Sequence, residues 1–398
     1  MVGICPLRNP IREYAWGSRS AIAALLGEPV PTLRPQAELW MGAHGSDASQ
    51  VRCGGRWISL GELLREDPMG ILGGEVAARF DGQLPFLFKV LAAGQPLSIQ
   101  AHPGRDQARD GFERENAAGI ALDAPERCFR DPRGKPELIC ALTPFSALRG
   151  FRTIPAIVDG FRAYQIDELD SEVAALAGAP SAAGLEEFIA ALLTAPQDRI
   201  ALAIAQAVAS GCASDTRWIT ELAARYPRDP GALAPLFLNV VEMVPGEAMH
   251  LGAGDFHSYL EGVGIEIMGN SDNVLRGGLT EKPVNVAELQ RVLCFEPSAA
   301  TLLCGRDVSP GERSYETPAE EFELSVLTIE EGRPWQSRVS RGVEILLVVE
   351  GAMEVQECGV REALSLERGC SVLIPDSVES YRLVGRAVAY RAGVPRDR

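Results

Sequence analysis

Apolar positions along the chain fall into two kinds of pattern. Residues 85–92 are apolar over the length of a strand. Residues 97–102 follow after the turn-like Ala93-Gly-Gln-Pro96, and 137–142 read as a further strand. Residues 106–117 are charged and predict a surface helix. From about 151 the period changes. Ile154, Ile157, Val158 and Phe161 recur at helical spacing behind Thr153, a candidate N-cap. Leu185, Phe188, Ile189 and Leu192 repeat the pattern, as do Trp218, Leu222 and Tyr226. From about 236 the β character returns. Residues 248–268 alternate strands with Gly-rich turns, and 322–327 alternate with period two. Residues 343–349 read as a buried strand ended by Glu350-Gly351, and 371–375 add another.

Short strands separated by Gly and Pro turns predict jelly-roll barrels. The expected class is mainly β with an α-helical insertion, built on two cupin-type barrels (a bicupin). The expected division is 1–150 and 236–285 for a first cupin, 151–235 for the helical insertion and 286–398 for a C-terminal cupin-like domain. A chain of 398 residues is long enough for two or three such units.

Composition narrows the setting. No apolar run reaches the roughly 18 residues of a membrane span, and the first residues lack the basic and apolar regions of a signal peptide. Nine cysteines without a CxxC pair read as reduced, mostly buried thiols of a cytoplasmic protein. A net charge of −16 argues against nucleic acid and anionic membranes as partners. Of the 38 Lys and Arg residues only Lys89, Lys135 and Lys282 are lysines. Lysine is a compact charge with a movable pKa, whereas arginine is a fixed planar fork. The three lysines therefore stand out as positions where an ammonium is required.

The candidate chemistry begins at Leu97-Ser-Ile-Gln-Ala-His-Pro103. Residues two apart on a strand share a face, so Gln100 and His102 project together, and Pro103 suits a strand end. Glu137 opens its own strand after Lys135-Pro136, and His257 lies in a turn leading into the next strand. His, Glu and a neutral amide oxygen can bind a divalent ion with positions left open for substrate. The chain has four histidines. His250 reads as structural and His44 as a packing or hydrogen-bonding residue. An iron oxygenase, or a barrel that binds sugars without turning them over, remains open on spacing alone.

Several stretches resemble the type I phosphomannose isomerases. They are Tyr14-Ala-Trp-Gly-Ser18, Ala37-Glu-Leu-Trp-Met-Gly-Ala-His44, Leu84-Pro-Phe-Leu-Phe-Lys-Val-Leu91 and the run from Leu97 to Pro103. Gly134-Lys-Pro-Glu-Leu138, Gly150-Phe-Arg-Thr-Ile154, His257-Ser-Tyr-Leu260 and Ser271-Asp-Asn-Val-Leu-Arg-Gly-Gly-Leu-Thr-Glu-Lys282 continue the series. The chain departs from the family at Gly104-Arg105, Arg133-Gly134 and Gly45, where the resemblance implies the cleft.

The resemblance implies one zinc ion per chain on Gln100, His102, Glu137 and His257. It implies interconversion of D-mannose 6-phosphate and D-fructose 6-phosphate, a small sugar phosphate being the partner. Proton movement between C2 and C1 through an enediol needs a polarised carbonyl and a base. Glu266, Lys135 or a water on the metal are the candidates for the base, and Arg276 resembles the family's active-site arginine. Lys89 and Ser98 are expected at the phosphate, with Lys282 as a third contact. Glu38 and Trp40 are expected in the wall of the site.

Overall fold

The structure, a computed structural model, describes residues 2–211, 216–339 and 341–395. It is mainly β, with its strands in a ten-stranded and an eleven-stranded sheet. All named strand pairings are antiparallel.

The first sheet is organised by the long strand His257–Gly269. It pairs with Phe86–Ala93, Ile99–Ala101, Glu137–Ala141 and Phe145–Phe151. Its length lets one end meet Gln100, in register with His257, while the other meets Lys89, in register with Glu266. Glu137 pairs at Met268, two residues from Glu266, so this one strand serves two adjoining polar clusters.

Between strands Phe145–Phe151 and Leu238–Met243 the described residues form helices and no strand. The period-3.6 pattern explains Ile154–Ala163, with Pro155 in its first turn, and Ala182–Thr194, whose N-cap Ser181 accepts from the Gly184 amide. Their apolar faces, with Ile157, Phe161, Phe188, Ile204 and Leu222, share one core with Ile99, Ala101, Phe256 and Leu275. Burial at about 25 cal/mol per Å² holds the helices against the back of the site strands. Ile99 and Ala101 face that core, so alternation turns Gln100 to the other side.

Three features differ from the sequence pattern. The strand expected to stop at Glu350-Gly351 runs on as Glu344–Glu357, because a register shift between Val348 and Glu350 absorbs the turn-like dipeptide. Gly351 has φ +70°, and a Cβ there would stand 2.1 Å from the Arg386 carbonyl oxygen. Secondly, Cys5–Arg8 pairs with Ser371–Ile374 on one side and Gln50–Cys53 on the other, so the N-terminal segment also extends the eleven-stranded sheet. Thirdly, the thiols are not mostly buried. Cys294, Cys304, Cys358 and Cys370 are exposed, on loops and strand ends where packing does not claim them, whereas Cys5, Cys128 and Cys140 are buried. Cys212 lies outside the described residues. No single helix among the described residues is long and apolar enough to cross a membrane.

Candidate metal centre

His102, Glu137 and His257 come together from three strands or strand ends, with one ligand atom of each within 4.8 Å of the others. All three are buried, at 1–2% exposure. His102 Nε2 lies 3.3 Å from Glu137 Oε1, and His257 Nε2 lies 3.4 Å from Glu137 Oε2.

The far ring nitrogens fix the tautomers. His102 Nδ1 is 2.7 Å from the carbonyl oxygen of Asn273, and His257 Nδ1 is 2.9 Å from that of Asp255. A carbonyl can only accept, so each Nδ1 carries the proton and each Nε2 presents a lone pair. His102 Nε2, His257 Nε2 and Glu137 Oε2 are buried without a hydrogen-bond partner. An unsatisfied buried acceptor costs stability, and three converging lone pairs call for a cation. The donor set fits zinc, with the imidazoles oriented from behind by main-chain carbonyls.

Electrostatics agree. Burial pushes His102 down to about 4, against the pull of Glu137, so its ring is neutral at ordinary pH. Burial alone would raise the Glu137 carboxyl, yet His102, Lys135 and His257 hold it well below the usual range. Lys135 Nζ stands 3.1 Å from Glu137 Oε1.

Gln100 lies on the strand next to these residues, with its Cα in register with His257 on one side and Arg276 on the other. Arg276 therefore enters from the strand Leu275–Gly278, half-buried.

Lys89 lies in an adjoining carboxylate cluster, close enough to Glu137 to feel its charge. It is 6% exposed, and its Nζ lies 2.6 Å from Glu266 Oε2 and 3.3 Å from Glu38 Oε1. Trp40 Nε1 donates to Glu38 at 2.7 Å, and the Tyr259 hydroxyl donates to Glu266 at 2.8 Å. Burial would lower the Lys89 ammonium, but Glu266, Glu38 and Glu137 raise it. Lys89 thus neutralises two buried carboxylates. Glu266 is raised by burial against the pull of Lys89. Ser98 is half-buried just before Ile99–Ala101, and Lys282 is exposed in the turn after Leu275–Gly278. His44 contacts Ser46 through Nδ1 at 2.8 Å, Asp272 through Nε2 at 3.4 Å, and the Trp40 ring.

The sequence pattern missed Asn273. Fully buried, its Oδ1 accepts from the Arg130 and Asp131 amides, and its Nδ2 donates to the Asp131 and Arg133 carbonyls. It pins the loop leading to Lys135 and Glu137 while its own carbonyl orients His102. An Asn within a motif stretch was the available signal, but carbonyl partners leave no trace in residue types.

A buried cluster of two imidazoles and a carboxylate, set in antiparallel sheet with free ligand atoms, defines a protein with a mononuclear metal centre. The family model for phosphomannose isomerase type I, catalytic domain, matches residues 4–154. Mannose-6-phosphate isomerase of Escherichia coli (strain K12) is 41% identical over 350 residues, covering 87% of this chain and 88% of that one. The human mannose-6-phosphate isomerase is 31% identical over 416 residues, covering 96% and 95% respectively. Among solved structures, mannose 6-phosphate isomerase from Salmonella typhimurium bound to fructose 6-phosphate and zinc superposes with a TM-score of 0.92. Its identity is 37%, over 99% of this chain and 100% of that one. The chain belongs to the type I phosphomannose isomerase family, a family of aldose–ketose isomerases.

Proposed function

We propose that this protein interconverts D-mannose 6-phosphate and D-fructose 6-phosphate, using one zinc ion held by Gln100, His102, Glu137 and His257. The observation that carries the reading is the convergence of three buried, unpartnered ligand atoms on His102, Glu137 and His257, in a chain of this family. The Salmonella relative, with both fructose 6-phosphate and zinc bound, supports the choice of metal and substrate. Gln100 is the fourth ligand because it faces away from the helical core, directly across from His257. Residues 1–150 and 236–285 are read as a catalytic cupin, 151–235 as an inserted helical domain and 286–398 as a cupin-like domain. The setting is cytoplasmic, and neither nucleic acid nor membrane is a partner.

When bound, zinc supplies the Lewis acidity that polarises a sugar carbonyl. The chain's own groups do the rest. Lys135 Nζ, buried beside Glu137, is positioned to move the proton between C2 and C1, passing through an enediol. Glu266 is the weaker candidate, since Tyr259 and Lys89 occupy its two oxygens. Arg276 lies beside Gln100 and steadies negative charge developing on the sugar oxygens. Trp40 and Glu38 line the interior behind the site.

The test is a coupled assay for fructose 6-phosphate formed from mannose 6-phosphate, run after chelation and again after zinc is restored. Turnover that vanishes and returns is expected. A zinc-replete sample without turnover would refute the assignment.

A further inference from the structure

Two thiols outside the metal centre lie against each other. The Sγ atoms of Cys5 and Cys53 are 3.4 Å apart, and both cysteines are free. Among the described residues this is the one contact between thiols. Cys128 meets the Glu126 carbonyl instead, and Cys140 the Tyr315 hydroxyl.

The sheet sets the pair up. Strands Cys5–Arg8 and Gln50–Cys53 are antiparallel neighbours in which Leu7 pairs with Val51 and Arg8 with Gln50. Continuing that register by two residues brings Cys5 opposite Cys53. Directly opposed antiparallel residues have Cα atoms about 4.5–5.5 Å apart, inside the roughly 4.4–6.8 Å that a disulfide spans. Closing the sulfurs to a bond of about 2.05 Å takes ~1.4 Å of movement, which side-chain rotation supplies. Cys5 also pairs with Leu373 on its other side, so its backbone is already held in place.

Access differs between the two. Cys5 is 6% exposed, and its thiol donates to the Gly3 carbonyl at 3.3 Å. Burial, reinforced by Cys53, pushes that thiol up to about 12. Cys53 is half-buried at the end of its strand, just before the turn at Gly54-Gly55. An oxidant in solution therefore meets Cys53 first, with Cys5 beside it as the resolving thiol.

We propose that Cys5 and Cys53 are a modification site, forming a reversible disulfide when the protein meets hydrogen peroxide. The Cys53 thiolate attacks a peroxide oxygen, giving a sulfenic acid and releasing hydroxide, which takes up the Cys53 proton as water. The Cys5 sulfur then attacks the Cys53 sulfur, and the departing hydroxide carries off the Cys5 proton as a second water. Each sulfur loses one electron and the peroxide gains two. A dithiol reductant attacking the half-buried Cys53 sulfur reverses the bond. The bridge joins residues 48 apart in sequence. The enclosed segment carries Glu38, Trp40 and His44, so oxidation staples this segment against unfolding without touching a metal ligand.

The test uses the zinc-loaded full chain, reduced and then exposed briefly to hydrogen peroxide at neutral pH. Free thiols are blocked with iodoacetamide, and the chain is digested without reductant for mass spectrometry. A linked Cys5–Cys53 peptide is expected, about 2 Da lighter than its two free-thiol halves together and lost on treatment with dithiothreitol. The oxidised protein should melt a few degrees above the reduced one. Cys53→Ser should abolish both the linked peptide and the shift in melting, which controls for oxidation at the exposed thiols. Recovery of Cys5 and Cys53 as separate thiols while the exposed cysteines oxidise would overturn the proposal. So would a bridge that forms only after the chain is unfolded. A bridge that forms in the native protein without raising its melting temperature would overturn the staple.

Discussion

His102 donates through Nδ1 to the main-chain carbonyl of Asn273 at 2.7 Å, while the Asn273 side chain grips the loop that bears Arg130. One buried residue thereby sets the tautomer of a metal-ligating imidazole and the position of a cation. The two duties separate on mutation, because the carbonyl belongs to the backbone.

Asn273→Ala keeps the carbonyl but strands the Arg130 and Asp131 amides, whose shared acceptor disappears. Leaving such donors unsatisfied costs about 1–3 kcal/mol. Urea unfolding is expected to show a loss of that order, with KM raised and zinc stoichiometry retained. Loss of the metal with unchanged KM would mean that the side chain serves His102 rather than the loop.

At the metal centre, Glu137→Gln keeps the shape and removes the single carboxylate that faces both imidazoles. Zinc affinity, measured by competition with a chromophoric chelator, is expected to fall by more than about a hundredfold, beyond the effect of an outer-shell partner. His257→Ala is expected to lose stoichiometric zinc in elemental analysis after dialysis. Retention of one zinc per chain in either variant would place the ion elsewhere.

How much of this was legible in the sequence depends on the distance between partners. Strand parity made the shared face of Gln100 and His102 readable, since both lie within one short stretch. No local pattern pointed from them to Glu137 and His257, which sheet pairing brings in and which only the family resemblance identified. Lys89 shows the same limit. Its strand was evident, but Glu38 and Glu266 lie on the two strands flanking it, and an isolated lysine in an apolar run looks equally ready for an anion. The helical segment was plain from its period, whereas the bulge at Val348 to Glu350 was not, because Glu-Gly resembles a turn until cross-strand register is known.

The Lys89 network gives a pH-dependent prediction. The ammonium is raised in the folded state by Glu266 and Glu38 despite burial, so its stabilising contribution is fully present below its unfolded value, near 10.5, and is lost only in strong base. Lys89→Met reverses the situation by leaving two buried carboxylates uncompensated, at a cost of about 3–5 kcal/mol near neutrality. Protonation relieves that cost, so the variant's deficit relative to the parent should shrink as pH falls from 8 towards 5. Thermal melts across that range check it. A deficit independent of pH would show that lost packing, not charge, is responsible.

The identity of the proton carrier can be separated from folding by following exchange. Lys135 Nζ sits 3.1 Å from a carboxylate oxygen of the metal cluster, whereas Glu266 is 2% exposed, between Lys89 and Tyr259. Lys135→Met is expected to lower kcat by about a hundredfold or more, the usual scale for a positioned acid–base group, with zinc still bound. It should equally suppress exchange of the C2 hydrogen of mannose 6-phosphate with deuterated solvent, measured by NMR. Glu266→Gln should instead lower stability, because Lys89 then lacks one of its two counter-charges, while the folded, zinc-loaded fraction continues to exchange at C2. If the two variants behave the other way round, the buried carboxylate reaches the sugar and Lys135 serves only to balance the charge of Glu137.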